Sequence, residues 1–249
     1  MMEPVTEIQE LTPHSIDLAV AAVRDGGVVV LPTDTVYGVG ANPFSAAAVS
    51  NLLAAKRRGH DMPPPVLLAE PSMMRALTAE VPQEAKLLAE AFWPGPLTLI
   101  LDVQGSAGLR LGDTRGTVAL RVPDHDGARA LLRATGPLAV SSANLTGEPP
   151  ATDCETALDQ LGDAVSVYLS AGPTPGNVPS TIVDFSGGRT GVVLRVGALS
   201  LEELRAVVPG VEVHGVTVDV EPESADDGVD VEPPASLAGV VEGHSADNA

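Results

Sequence analysis

Four short polar clusters in this chain could act on an anionic substrate. The first is Lys56-Arg57-Arg58-Gly59-His60, the densest positive stretch, followed closely by Pro63-Pro64-Pro65. Lysine offers a compact charge and arginine a planar fork of donors, so Lys56 and Arg58 could clamp a phosphate or carboxylate. The prolines would stiffen the loop and lower the entropy of organising it. The same residues could equally form a solvated helix end that offsets the helix dipole. The second cluster is Pro32-Thr33-Asp34-Thr35-Val36-Tyr37-Gly38. Here the hydroxyls of Thr33, Thr35 and Tyr37 could orient a polar substrate, while Asp34 could pair with a base or hold a cation-bound water. Alternatively, Asp34 and Thr35 satisfy loop amides.

The third cluster, Ser141-Ser142-Ala143-Asn144, follows the apolar run PLAV. Ser142 and Asn144 at a strand end could build an oxyanion or phosphate nest, or simply cap a turn. The fourth is Pro179-Ser180-Thr181-Ile182-Val183-Asp184. Ser180 and Thr181 would stand at the start of a strand, placed for phosphate or adenine. Arg121 and Arg195 lie in or at the ends of apolar runs, as ALRVP and LRVG. A charge buried in a sheet is costly unless paired, so each is expected in a cleft rather than at an edge. Trp93 in FWPGPLT is expected to pack near a turn rather than to form a base-stacking platform.

Other chemistries find no support. There is no G-x-x-x-x-G-K-[ST] for an ordinary P-loop, no G-x-G-x-x-G opening a helix and no G-x-S-x-G nucleophile elbow. The five histidines lack metal-ligand spacing, and no metal site is assigned. The single cysteine, Cys154, can neither form an intrachain disulfide nor share a metal with a second thiol.

The elements that must position these clusters alternate. A helix is expected over residues 13–25, ended by Asp25-Gly26-Gly27. A strand at 28–31 leads into the polar segment that carries Gly38 and Gly40, and an Ala-rich helix follows at 45–56. Further apolar runs occur at 66–69, 97–101, 118–122, 138–140, 165–169, 181–185 and 192–196, with helical patterns at 72–79, 83–92, 125–134 and 153–161. Continuous rather than alternating runs predict strands covered on both faces. A last helix at 200–207 has Ser200 as its N-cap. The fold class is therefore α/β, with ligand sites at loops that leave strand ends.

Composition narrows the class. The chain is 44% apolar but only 2% aromatic, so its core is aliphatic. It carries ten acids and no Lys or Arg from Val211 onward, which leaves 23 acids against 14 bases in residues 1–210, a net of −9. A broad nucleic-acid footprint is absent, although small anions need only a local cleft. Neither a signal peptide nor a membrane span is expected, and the location implied is cytoplasmic. Residues 1–10 are expected to be a flexible lead, 11–210 one catalytic domain, and 211–249 a disordered acidic tail.

The order of the motifs adds a resemblance. PTDTVYGVG, AAKRRGHDMPPPVLLA, FWPGPLTLIL, VALRVPDH, AVSSANLTGEPP, PSTIVD and VLRVGAL, spread over residues 11–205, resemble the YrdC-like threonylcarbamoyl-AMP synthase family in its short, single-domain form. The resemblance implies a twisted mixed sheet with flanking helices around a deep ligand cleft. It implies synthesis of threonylcarbamoyl-AMP and pyrophosphate from ATP, L-threonine and bicarbonate or CO2. Mg2+ would accompany ATP, and the product would pass to the machinery that modifies tRNA at position 37. Lys56 and Arg58 match the family's Lys-x-Arg beside the ATP phosphates and the bicarbonate-derived group. Thr33, Thr35 and Tyr37 match the loop at the threonine end. Arg121 and Thr181 are placed with threonine and bicarbonate, and Ser142, Asn144, Ser180 and Arg195 with ATP. Two departures stand out: KRRG puts Gly59 where the family commonly has proline, and DMPPPV carries an extra proline. A carbamoyl-adenylate-forming relative, an RNA-binding module and a non-catalytic regulatory relative remain the alternatives.

Overall fold

The computed structural model describes residues 7–218. In chain order these form β1 (Ile8–Glu10), α1 (Pro13–Arg24), β2 (Val29–Leu31), β3 (Gly38–Ala41), α2 (Ala46–Ala55) and β4 (Val66–Leu67). Then come α3 (Met74–Leu77), α4 (Gln83–Phe92), β5 (Leu97–Asp102), β6 (Thr117–Arg121), α5 (Asp126–Thr135) and β7 (Leu138–Ser142). The last are α6 (Cys154–Leu161), β8 (Val167–Ser170), β9 (Thr181–Asp184), β10 (Val192–Val196), α7 (Leu201–Val207) and β11 (Glu212–Val218).

The strands make one mixed sheet in the order β1-β8-β2-β3-β7-β4-β6-β5-β9-β10-β11. Both faces of the central strands are covered, which is why they read as largely apolar runs. Val28 and Val30 point into the larger core, with Leu52 and Leu53 of α2 and Leu88 of α4. Their neighbours Val29 and Leu31 point into a second core, against Val20 and Val23 of α1 and Leu131 and Leu132 of α5. Local signals set the helix ends. Gly26, at φ 82°, follows α1. Ser200 caps α7 in a reciprocal box with Glu203. His125 caps α5, its Nδ1 accepting from Ala128 N at 3.2 Å.

Four expectations need correction. The segment read as a loop through Gly38 and Gly40 contains β3, paired with β2 and β7. Glycine is required there: a Cβ at Gly38 would stand 2.6 Å from Val140 Cγ1. The helix expected at 72–79 shrinks to a turn of 3-10 helix at Pro71–Met73 and the single turn of α3, after which Thr78 bridges to Val103. The sheet also extends at both ends beyond the expected domain. β1 lies within the expected lead and pairs with β8, and β11 lies within the expected tail and pairs with β10. Edge pairing, which satisfies backbone groups whatever the side chains, supplies the physical reason. Residues 1–6 and the expected tail from 219 onward lie outside the described residues.

Candidate active site

Lys56 follows α2 and is 2% exposed. Its ammonium donates to the Ser142 carbonyl, to the Asn144 carbonyl at 2.6 Å and to Asn144 Oδ1 at 3.2 Å. An ammonium has three donors, so all of Lys56's are spent on the turn that follows β7. Burial, and secondarily the nearby Arg58, lower the Lys56 pKa from 10.5 to about 8. Asn144 is fixed in turn, its amide donating to the Leu145 carbonyl at 2.8 Å and the Glu148 carbonyl at 2.7 Å.

Arg58 is spent far less. Its Nη1 donates to Ser141 Oγ at 3.2 Å, while its buried Nε has no partner among the described residues. Burial lowers the Arg58 pKa, and Asp61 opposes that effect. A buried donor left unmade carries a desolvation cost, which an anion at this position would remove. The Ser142 hydroxyl, half-buried on the next residue of β7, makes no hydrogen bond among the described residues.

The Thr/Tyr loop joins this group through the sheet. Gly38 of β3 is paired with Ser142 of β7, and Ala143 N donates to the Tyr37 carbonyl at 2.8 Å. The loop must also reach across the sheet to Arg121. Register places Arg121 at the level of Leu67 and Leu138, four residues along β7 from Ser142. Asp34 and Thr35 close that gap. Arg121 Nη2 donates to Asp34 Oδ1 at 2.6 Å, Nη1 to Thr35 Oγ1 at 3.0 Å, and Nε to the Gly95 carbonyl at 3.0 Å. Thr35 Oγ1 lies 3.1 Å from Thr33 Oγ1, which donates to the Val36 carbonyl at 2.6 Å. Arg121 is thus a buried, paired cation that organises the loop. Burial lowers its pKa and Asp34 raises it.

The fourth cluster adjoins Arg121 by way of the turn before β5. Gly95 N donates to the Val122 carbonyl, and Thr181 N to the Pro96 carbonyl. Ser180 Oγ lies 2.8 Å from Thr98 Oγ1, and Arg195 clasps the Ser180 carbonyl at 2.8 and 3.1 Å. Trp93 packs at the same turn, its indole N–H donating to the Leu97 carbonyl at 2.7 Å.

Like the hydroxyls of Thr33 and Thr35, two further expected substrate groups are occupied by the fold itself. Tyr37 is fully buried; its hydroxyl donates to the Gly172 carbonyl at 2.6 Å and accepts from Ala171 N at 3.1 Å. Thr181 is also fully buried; its hydroxyl donates to the Leu199 carbonyl at 2.6 Å and accepts from Gly197 N and Leu199 N. Each pins a distant loop. Asp34 and Thr98 are the partners that motif reading underweighted. A buried arginine at a strand end demands a carboxylate, and that demand was the available signal for Asp34. Thr98, inside an apolar run, gave none. Cys154 is fully buried, and burial pushes its thiol up to about 12, so it offers no nucleophile.

Known proteins share this sequence and this fold. The sequence matches the family described as Telomere recombination (Sua5–YciO–YrdC) over residues 21–197. A putative threonylcarbamoyl-AMP synthase of Mycobacterium tuberculosis is 50% identical over 80% of this chain and 91% of its own length. The threonylcarbamoyl-AMP synthase of Bacillus subtilis is 38% identical over 84% of this chain and 61% of its own. Among solved structures, Pyrococcus abyssi Sua5 complexed with L-threonine superposes with a TM-score of 0.74 at 33% identity, covering 87% of this chain and 65% of that one. Escherichia coli YciO superposes with a TM-score of 0.72 at 27% identity, covering 80% of this chain and all of that one. Shared sequence over most of its length, on a shared sheet, means that this chain belongs to the Sua5–YciO–YrdC family, the family of the threonylcarbamoyl-AMP synthases.

Proposed function

We propose that this chain is an L-threonylcarbamoyladenylate synthase. It would join L-threonine, bicarbonate or CO2 and ATP into threonylcarbamoyl-AMP, releasing pyrophosphate, for the threonylcarbamoyladenosine modification of tRNA. The observation that carries this reading is the under-partnered Arg58, held at the Ser141 hydroxyl next to the turn that Lys56 fixes. The names of the relatives support the reaction class, and the threonine bound to the archaeal relative supports the acceptor.

The threonine amine would attack CO2 to give a carbamate, losing a proton. A carbamate oxygen would then attack the α-phosphorus of ATP as the bond to pyrophosphate breaks. Negative charge grows on the phosphoryl oxygens and the leaving group, where preorganised donors count most. Arg58 is the cation with donors to spend there. Lys56 would act through its charge and through the shape it imposes on residues 142–144. Ser142, Asn144, Ser180 and Arg195 would line the nucleotide side, and Thr33, Thr35 and Arg121 the threonine and bicarbonate side. ATP would enter as its Mg2+ complex. Among the described residues no group of three or more His, Cys, Asp or Glu could hold a metal, so the ion would be ligated chiefly by phosphate and water. Free carbamate is short-lived, so holding three reactants together does much of the work.

Incubation with ATP, Mg2+, bicarbonate and single amino acids, with mass detection of the adenylate, tests the reading. Threonine-dependent pyrophosphate and threonylcarbamoyl-AMP are expected. Salt-sensitive RNA binding without ATP turnover would replace the enzyme by a binding module.

A further inference from the structure

The turn that carries Lys56 and Arg58 has an unusual backbone. α2 ends at Ala55 with Lys56 as its cap, and Arg57 then adopts φ 53°. Arg57 N donates to the Ala54 carbonyl at 3.0 Å and Arg58 N to the Leu53 carbonyl at 2.9 Å. These two bonds define a Schellman termination, whose left-handed position is normally glycine. A side chain there meets steric resistance, and such backbone persists only where its surroundings over-determine it. They do so here. The Lys56 carbonyl accepts from Thr146 N at 3.0 Å and Thr146 Oγ1 at 2.9 Å, while the Lys56 ammonium and the Arg58 guanidinium grip residues 141–144.

The reversal has a geometric result. If residue 57 continued the helix, the side chains of 56 and 58 would diverge by roughly 200° around the axis. With the left-handed residue between them, both meet the same turn. The Arg57 side chain takes no part in this. It is exposed, lines a cavity of about 460 Å³ with Asn51, Gln160 and Ser166, and makes no hydrogen bond or ion pair among the described residues.

We propose that Arg57 is a positioning residue for the adenylation proposed above, acting through its left-handed backbone to bring Lys56 and Arg58 onto one turn. The catalytic consequence rests on that functional reading; the geometry does not. The chain contains two lysines, Lys56 and Lys86, so carbon-13-labelled lysine gives two signals and Lys56 can be titrated directly in the full chain. Arg58 is the charged group acting on Lys56, and it faces Asp61 in turn; neither is altered. Glycine and asparagine accept the left-handed region, whereas a β-branched valine resists it.

Lys56 is expected to titrate near 8 in the wild type, Arg57→Gly and Arg57→Asn, and to move toward 10.5 in Arg57→Val. The KM for ATP should rise about tenfold in Arg57→Val and stay within about twofold in the other two. If thermal unfolding shows that Arg57→Val does not fold, Arg57→Ala replaces it, with a smaller shift in the same direction expected. A Lys56 that stays near 8 in every variant overturns the proposal. So does release of Lys56 in Arg57→Gly and Arg57→Asn as large as in Arg57→Val, which would assign the effect to the guanidinium. A wild-type chain that makes no threonine-dependent pyrophosphate refutes the functional reading and leaves the titration to decide on Arg57.

Discussion

Replacing Asp34 by asparagine removes the counter-charge of a buried arginine while keeping its shape. The Arg121 side chain is 8% exposed, its partner 13%, and the contact is 2.6 Å. Breaking a buried pair on one side typically costs about 3–5 kcal/mol, because the remaining charge stays buried without compensation. Two features set the value near the lower end. Arg121 keeps the Thr35 hydroxyl and the Gly95 carbonyl as neutral acceptors, and an amide oxygen can still accept one bond. Against this, Asp34 Oδ1 also accepts Asp124 N at 3.0 Å, so the segment after β6 loosens with the pair. A loss of about 3 kcal/mol is therefore expected, equivalent to roughly 6–12 °C in Tm for a chain of this size. Urea unfolding at pH 7 measures it. Asp34→Asn combined with Arg121→Gln should lose less than the sum of the two single changes, because the double variant strands no charge. A single-variant loss below about 1 kcal/mol, the scale of an exposed pair, would show that Arg121 does not depend on Asp34 and would refute the account of the loop.

Three further outcomes are expected. Arg58→Lys should lower kcat/KM for adenylate formation by about 10²–10³, since a point charge cannot replace the fork; near-wild-type kinetics would remove Arg58 from the chemistry. Lys56 has a folded-state pKa of about 8 against 10.5, so between these values the unfolded chain binds more protons and stability rises with pH. The gain, about 3 kcal/mol relative to Lys56→Met, should appear in unfolding curves between pH 7 and pH 10.5, and a flat difference would contradict the burial argument. Thr181→Val, which deletes the hydroxyl bonded to Gly197 N, Leu199 N and Leu199 O, should cost about 1–3 kcal/mol with the KM for threonine unchanged in the folded protein. A raised KM at full stability would return Thr181 to the substrate.

Much of the frame was legible in the chain itself. Unbroken apolar runs such as residues 28–31 and 138–140 marked strands buried on both faces, and Ser200 marked the start of α7. The types and spacing of Lys56, Arg58, Ser142 and Asn144 pointed to anion chemistry, because charge and donor geometry belong to a residue wherever it sits. β3 was not legible: Gly38 and Gly40 lack strand propensity, and only the approach of Val140 accounts for them. Nor was the division of labour among the polar groups. Tyr37 and Thr181 turned out to be occupied by backbone at residues 171–172 and 197–199, and the three donors of Lys56 by residues 142 and 144. A sequence states how many hydrogen bonds a side chain can make. Which partner claims them is settled only when folding brings together groups scores of residues apart, and in this chain that decided which of Lys56 and Arg58 was left with a donor to offer.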